Sequence, residues 1–213
     1  MWDGADYQID DPRPIAESAP YTFFLPSPID ILALQNGDLI KATVRSIPES
    51  AEWDAERLWF TITDLSDEAF EARLESEPSD MPGFPKGRVI QIPRPAVIDL
   101  IFVDERPRVA EPRTYWDRCL VDGAVLKGGR LVEFIYREDA DTPSDATFPD
   151  SGWRIRATTS GLSALEAEQA TLEYVALGAV LNKDDSWLHL IDAPVGSAFL
   201  RDFERDLWVE EKD

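Results

Sequence analysis

Asp150-Ser151-Gly152-Trp153-Arg154 is the stretch around which the second half of this chain is organised. Glycine accepts backbone angles that other residues resist, so Ser151-Gly152 reads as a sharp turn that delivers Trp153 and Arg154 to the start of a strand over residues 153–158. Before it, residues 138–150 are acidic, carry Pro143 and Pro149, and read as a loop. Further back, residues 118–125 and 130–137 read as two strands of a hairpin, with Gly128-Gly129 as its turn. After it, residues 162–169 are rich in Ala and Glu and helix-prone, with Ser163 as the cap. Leu172, Val175, Leu177 and Val180 fall near helical spacing and predict a short helix to about Leu181. Residues 207–209 predict a terminal strand, and residues 186–191 have no decisive pattern.

The first half is different. Residues 1–20 are polar and punctuated by Pro12, Pro14 and Pro20, which predicts an extended arm. Residues 29–34 fit either one turn of helix or a strand ending at Asn36-Gly37. Residues 39–47 alternate in polarity up to Pro48, and residues 56–63 are rich in aromatic and β-branched side chains, so both predict strands. Further strands are expected at 70–75, 88–92 and 96–103, with turn residues filling 76–87. Residues 104–114 are charged, carry two prolines and form the best linker candidate. The expected organisation is an arm (1–20), a mostly β domain (21–106), a linker (107–114) and an α+β domain (115–213). The fold class is α+β, mainly antiparallel sheet in two small lobes, with one or two helices in the C-terminal lobe.

The formal net charge is −21, and it is evenly spread. Residues 1–110 carry 21 acids and 10 bases; residues 111–213 carry 21 acids and 11 bases. Such a surface repels nucleic acid and anionic membrane, whose binding begins with neutralising phosphates. It steers a cationic protein inward, and it equally serves plain solubility. The lone cysteine, Cys119, cannot form an internal disulfide and reads as a core residue. The lone histidine, His189, would have to be the base of any Ser-His-Asp or Cys-His set, and one His with one Cys makes no ordinary zinc site. No cofactor and no metal is expected. The start, Met-Trp-Asp-Gly-Ala-Asp, lacks a basic apolar leader, and no run approaches the ~18 apolar residues of a membrane span, so a cytoplasmic protein is expected. The adjacent acids Asp10-Asp11, Glu138-Asp139, Asp184-Asp185 and Glu210-Glu211 read as solvated loops or ends.

Three elements occur in order in the second half: Tyr136-Arg137-Glu138, then Asp150-Ser151-Gly152-Trp153-Arg154, then Pro194-x-Gly196-x-x-Phe199-x-Arg201. This stretch, about residues 118–205, resembles the bacterial immunity protein 33 family. The family's Gly-Asp-Glu element after the Trp-Arg strand is replaced here by Ala157-Thr158-Thr159-Ser160-Gly161. In the first half, Glu56, Trp59, Phe70, Leu74, Pro78, Gly87 and Ile98-Asp99 are similar to the pattern of another small, uncharacterised bacterial family, with Ala72 and Ser76 in place of its Gly and Asn.

The resemblance implies a non-catalytic protein-binding module that neutralises a cationic toxin domain through an acidic surface. The alternatives are a domesticated regulatory or scaffold protein, or a carboxylate-based hydrolase that would still need a nucleophile, base or metal set. The candidate partner-binding residues are Tyr136, Arg137, Glu138, Asp150, Trp153, Arg154 and Arg201. Two readings of them stand open. Trp153 fills the core while Asp150, Arg137 and Glu138 form a structural polar network, with Asp150 paired to Arg154 or Arg137. Alternatively, the Trp, Tyr and Arg side chains are the anchors of an interface, where those types dominate.

Overall fold

The computed structural model describes residues 2–4, 6–49, 51–141, 147–163 and 171–211. The chain divides into two compact units: Met1–Ser18 with Phe23–Pro112, and Ala19–Thr22 with Arg113–Asp213. The class is α+β, mostly sheet with four short helices among the described residues.

The first unit is a curled antiparallel sheet. Strands β1 (Trp2–Asp3), β2 (Tyr7–Ile9), β3 (Leu39–Ser46), β4 (Glu56–Leu65), β5 (Ala69–Leu74) and β6 (Val89–Pro93) lie side by side in chain order. One edge of β3 is shared: β2 pairs with Val44 to Ser46, and β7 (Asp99–Ile101) pairs with Leu39 to Lys41. Alternation decides which face is buried. Ile40, Ala42 and Val44, Leu58, Phe60 and Ile62, and Phe70, Ala72 and Leu74 all point into one core. The sheet curls far enough for Asp6, between β1 and β2, to pair with Arg88 just before β6. Tyr7 meets Phe84 edge-on at 5.6 Å between centroids.

The expected arm is not free. Ile9 is buried and its strand pairs with β3, because an apolar residue at this alternation completes the core. Residues 29–34 resolve to a helix: α1 spans Arg13–Ser18 and α2 spans Pro28–Leu32. Ser27 caps α2, its hydroxyl accepting from the Asp30 N–H at 3.0 Å, and Pro28 sits where no intrahelical N–H is needed. Residues 96–103, expected as one strand, divide into a 3₁₀ turn at Arg94–Ala96 and β7. Beyond β7 the chain is pinned by two buried carboxylates. Asp38 accepts from both terminal nitrogens of Arg106 and from Val103 N, and Asp30 accepts from Val109 N.

The second unit is a mixed six-stranded sheet. Its elements are β8 (Arg118–Asp122), α3 (Gly123–Gly128), β9 (Val132–Arg137), β10 (Asp150–Ala157), β11 (Leu172–Ala176), α4 (Leu177–Leu181), β12 (Ala198–Asp202) and β13 (Leu207–Glu210). They lie in the order β11-β8-β10-β9-β12-β13, with β8 and β10 parallel and the other pairs antiparallel. A core of Cys119, Val121, Ile135, Trp153, Ile155 and Phe199 from the strands meets Val125 of α3 and Leu177, Val180 and Leu181 of α4.

Three local expectations fail here for one reason: tertiary packing outweighs weak local preference. Gly128-Gly129 is not a hairpin turn. The segment Gly123–Gly128 is a helix whose Val125 is fully buried, and Gly129, at φ 64°, ends it in the left-handed region. This leaves β8 and β9 apart, with β10 between them. Leu172 to Leu181 is not one helix. Its first half is β11, paired with β8 from Leu172↔Asp122 to Ala176↔Arg118, and only Leu177–Leu181 is helical. Ser151-Gly152 is not a chain reversal but lies inside β10. The helix expected over 162–169 falls largely outside the described residues. Residues 186–191 contain a 3₁₀ turn at Leu188–Leu190. No helix among the described residues is long and apolar enough to cross a membrane.

Candidate functional site

The centre of the second unit is a bulge in β10. Asp150 lies opposite Arg118 on β8, and Arg154 lies opposite Leu120, so β10 spends four steps where β8 spends two. Gly152 absorbs the excess. Its φ is +80°, and a Cβ there would run into the carbonyl oxygen of Glu138. The Glu138 N–H donates to the Gly152 carbonyl at 3.0 Å. Ser151 secures the neighbouring strand, its hydroxyl donating to the Arg118 carbonyl at 2.7 Å.

The bulge brings Asp150 and Arg154 onto one side. The two terminal nitrogens of Arg154 donate to the two Asp150 oxygens at 3.0 and 2.8 Å, and its Nε donates to Glu138. Asp150 also accepts from the N–H groups of Gly152 and Asp141, at 3.1 and 3.2 Å. Both members of the pair are buried, at 6% and 5% exposure, whereas Glu138 is open to solvent. Burial by itself pushes the Asp150 carboxyl up, but the Arg154 hydrogen bonds and the two backbone donors outweigh it and hold the group below the ordinary aspartate value. The Arg154 guanidinium is raised, chiefly by its hydrogen bonds to Asp150.

The other sequence elements converge on this bulge from the opposite face. Arg137 donates from Nε to the Ser151 carbonyl at 3.0 Å and from Nη1 to the Ala193 carbonyl at 2.7 Å. The Gly196 N–H donates to the Arg137 carbonyl at 2.7 Å. Trp153 is fully buried, packs against Trp187 at 5.7 Å, and donates its indole N–H to the Ile191 carbonyl at 3.1 Å. Of the two readings left open for this residue, its placement is that of the core. Arg201 lies apart, pairing with Asp184 at 3.0 Å and with Asp206 at 3.1 Å.

Asp184, expected in a solvated loop, is buried, because it must also accept from the Val132 and Ser186 N–H groups. Cys119 is buried, and burial pushes its thiol up to about 12, which keeps it protonated and unreactive. His189 is exposed in the 3₁₀ turn.

The candidate residues therefore do not share one surface. Successive strand residues face opposite ways, so Tyr136 and Arg154 lie on the outer face while Arg137 and Trp153 lie on the face that carries the core. What the sequence reading missed is the rest of that outer face. Register places Tyr174, Leu120, Arg154, Tyr136 and Ala198 in one row, and Leu172, Asp122, Phe134, Leu200 and Val209 in the next. Arg156 stands in the second row and donates to Asp122 at 3.0 Å. The alternation Leu172/Tyr174 and Phe134/Tyr136 was the available signal, hidden where 172–181 resembled a helix.

No curated protein and no solved structure matches the chain. The bulge and the three sequence elements that meet at it all fall within residues 119–212, and that stretch matches the family model described as Immunity protein Imm33 domain.

Proposed function

We propose that this protein is an immunity protein: it binds a bacterial toxin domain in the cytoplasm and neutralises it by occupying it, making and breaking no bond. The observation that carries this reading is the match of residues 119–212 to the Imm33 domain. The convergence of Arg137, the Asp150-to-Arg154 bulge and Gly196 on one small region supports it, since the resemblance rests on those same elements. The partner is cationic. A net charge of −21, shared between both halves of the chain, favours association with a basic protein and disfavours one with nucleic acid.

The test is to express the chain with the toxin domain encoded beside its gene. Protection of the cells, together with a purified complex whose association rate falls as salt rises, is the expected outcome. Absence of both protection and complex with every neighbouring toxin would remove the proposal. Turnover of a substrate by the purified chain would replace it with an enzymatic one.

A further inference from the structure

We infer that the outer face of the second unit's sheet is the surface that receives the toxin, and that the toxin meets it with an apolar patch ringed by lysine and arginine. This rests on the toxin-binding reading above. The inner face is filled by the core and by α3 and α4. The outer face instead leaves large apolar side chains in water: Leu172 and Tyr174 are 50% and 51% exposed at one edge, and Leu200 and Val209 are 42% and 46% exposed at the other. Between them lie the half-buried rings of Phe134 and Tyr136, 5.6 Å apart. Six strands at a spacing of ~4.8 Å make this face about 24 Å wide, the scale of one side of a standard protein interface. Scattered exposed leucines need no explanation, but apolar side chains gathered on β9, β12 and β13 and again on β11, on either side of the charged strand β10, do need one on a highly charged chain.

The charge pattern selects the occupant. Two arginines in the middle of the face are matched, Arg154 by Asp150 and Glu138 and Arg156 by Asp122, and Arg118 stands over the Phe148 ring at 5.7 Å. The exposed rim is acidic, with Asp139 and Asp141 past the end of β9 and Glu211 past the end of β13. Exposed apolar side chains flanking an internally matched ionic centre leave the exposed acids as the charges that a partner must meet, and these ask for cations. A second copy of this chain would bring a like-charged rim against it, so self-association is disfavoured.

The experiment uses the full chain and the toxin domain encoded beside its gene. Tyr174→Asp and Leu200→Asp are compared with Ile101→Asp, an equally exposed position on the first unit. Each of the first two is expected to weaken Kd by at least about ten-fold with an unchanged melting temperature, and Ile101→Asp by less than about two-fold. Hydroxyl-radical footprinting of the unmutated complex, which does not depend on variant folding, is expected to protect Tyr174, Tyr136 and Phe134. Full binding by both variants, or unprotected rings in a formed complex, overturns the assignment of this face and leaves the toxin-binding reading standing. A chain that dimerises through this face, and is returned to monomer by Tyr174→Asp, overturns it as well. Failure of the unmutated chain to bind any toxin removes both.

Discussion

Removing Asp150 should cost the second unit more than removing the arginine it holds. Among the described residues, Asp150 accepts from both terminal nitrogens of Arg154 and from the N–H groups of Gly152 and Asp141. In Asp150→Ala these donors lose their acceptor, and among the described residues Arg154, 5% exposed, keeps Glu138 as its charged partner, with a side chain 51% exposed. Breaking a buried pair from one side costs about 3–5 kcal/mol, and an exposed partner such as Glu138 recovers under about 1 kcal/mol of it. In Arg154→Met the Asp150 carboxylate retains its two backbone donors, and the thioether chain fills most of the vacated volume. At about 1–1.5 kcal/mol for each of the two retained bonds, about 2–3 kcal/mol of the penalty is recovered, so that variant should cost about 1–2 kcal/mol. Urea unfolding followed by tryptophan fluorescence, which reports on the Trp153–Trp187 pair in the adjoining core, measures both losses. A double-mutant cycle should return a coupling of about 2 kcal/mol. The reasoning fails if Arg154→Met is as costly as Asp150→Ala, or if both fall below about 1 kcal/mol.

Three further outcomes follow from the same geometry. The Asp150 carboxyl is held below its ordinary value, so the stability it contributes is complete above about pH 5, begins to fall as pH drops past the unfolded aspartate value of about 3.9, and is gone below the depressed folded value. The difference in unfolding free energy between the unmutated chain and Asp150→Asn should be flat from about pH 5 to 8 and shrink below about pH 4. Gly152→Ala combines a positive φ with a collision against the Glu138 carbonyl and should cost more than about 2 kcal/mol in the same urea assay; a change under about 0.5 kcal/mol would show that the bulge relaxes freely. Trp153→Ala empties a fully buried site and should cost about 3–5 kcal/mol, so lost toxin binding with unchanged stability in that variant would contradict a core role.

The legible part of the fold was the part governed by near neighbours. Residues 39–47, 56–63 and 70–75 alternate cleanly, each is a strand, and each pairs with strands adjacent in the chain. The second unit was harder because β8 pairs with β10 and β11, some thirty to sixty residues downstream, and parallel pairing leaves no turn dipeptide to read. Gly123–Gly128 has little intrinsic helix preference, and it is the burial of Val125 that decides its shape. At the candidate site, Asp150–Arg154 pairing was among the readings drawn from residue types alone, and it is the one the structure contains. The division of Tyr136 and Arg154 from Arg137 and Trp153 was also within reach, since alternation in a strand separates neighbours to opposite faces. The assembled outer face was not: alternation showed single strands of it, but it is built from six strands whose order no local pattern reveals.

The short stretch Ala19–Thr22 belongs to the second unit although the residues on either side of it belong to the first. Asn182 accepts from the Tyr21 N–H at 2.9 Å and donates to the Thr22 hydroxyl at 2.7 Å, while the Tyr21 phenol donates to Asp185 at 2.6 Å. Anyone dissecting this protein at the obvious place, with a fragment that starts at Arg113, would discard a clasp supplied from ninety residues upstream. The excised piece would present the amide of Asn182 and the carboxylate of Asp185 bare, so its instability would say nothing about whether the second unit can stand alone. A fairer fragment carries residues 19–22 along, spliced or added as a peptide.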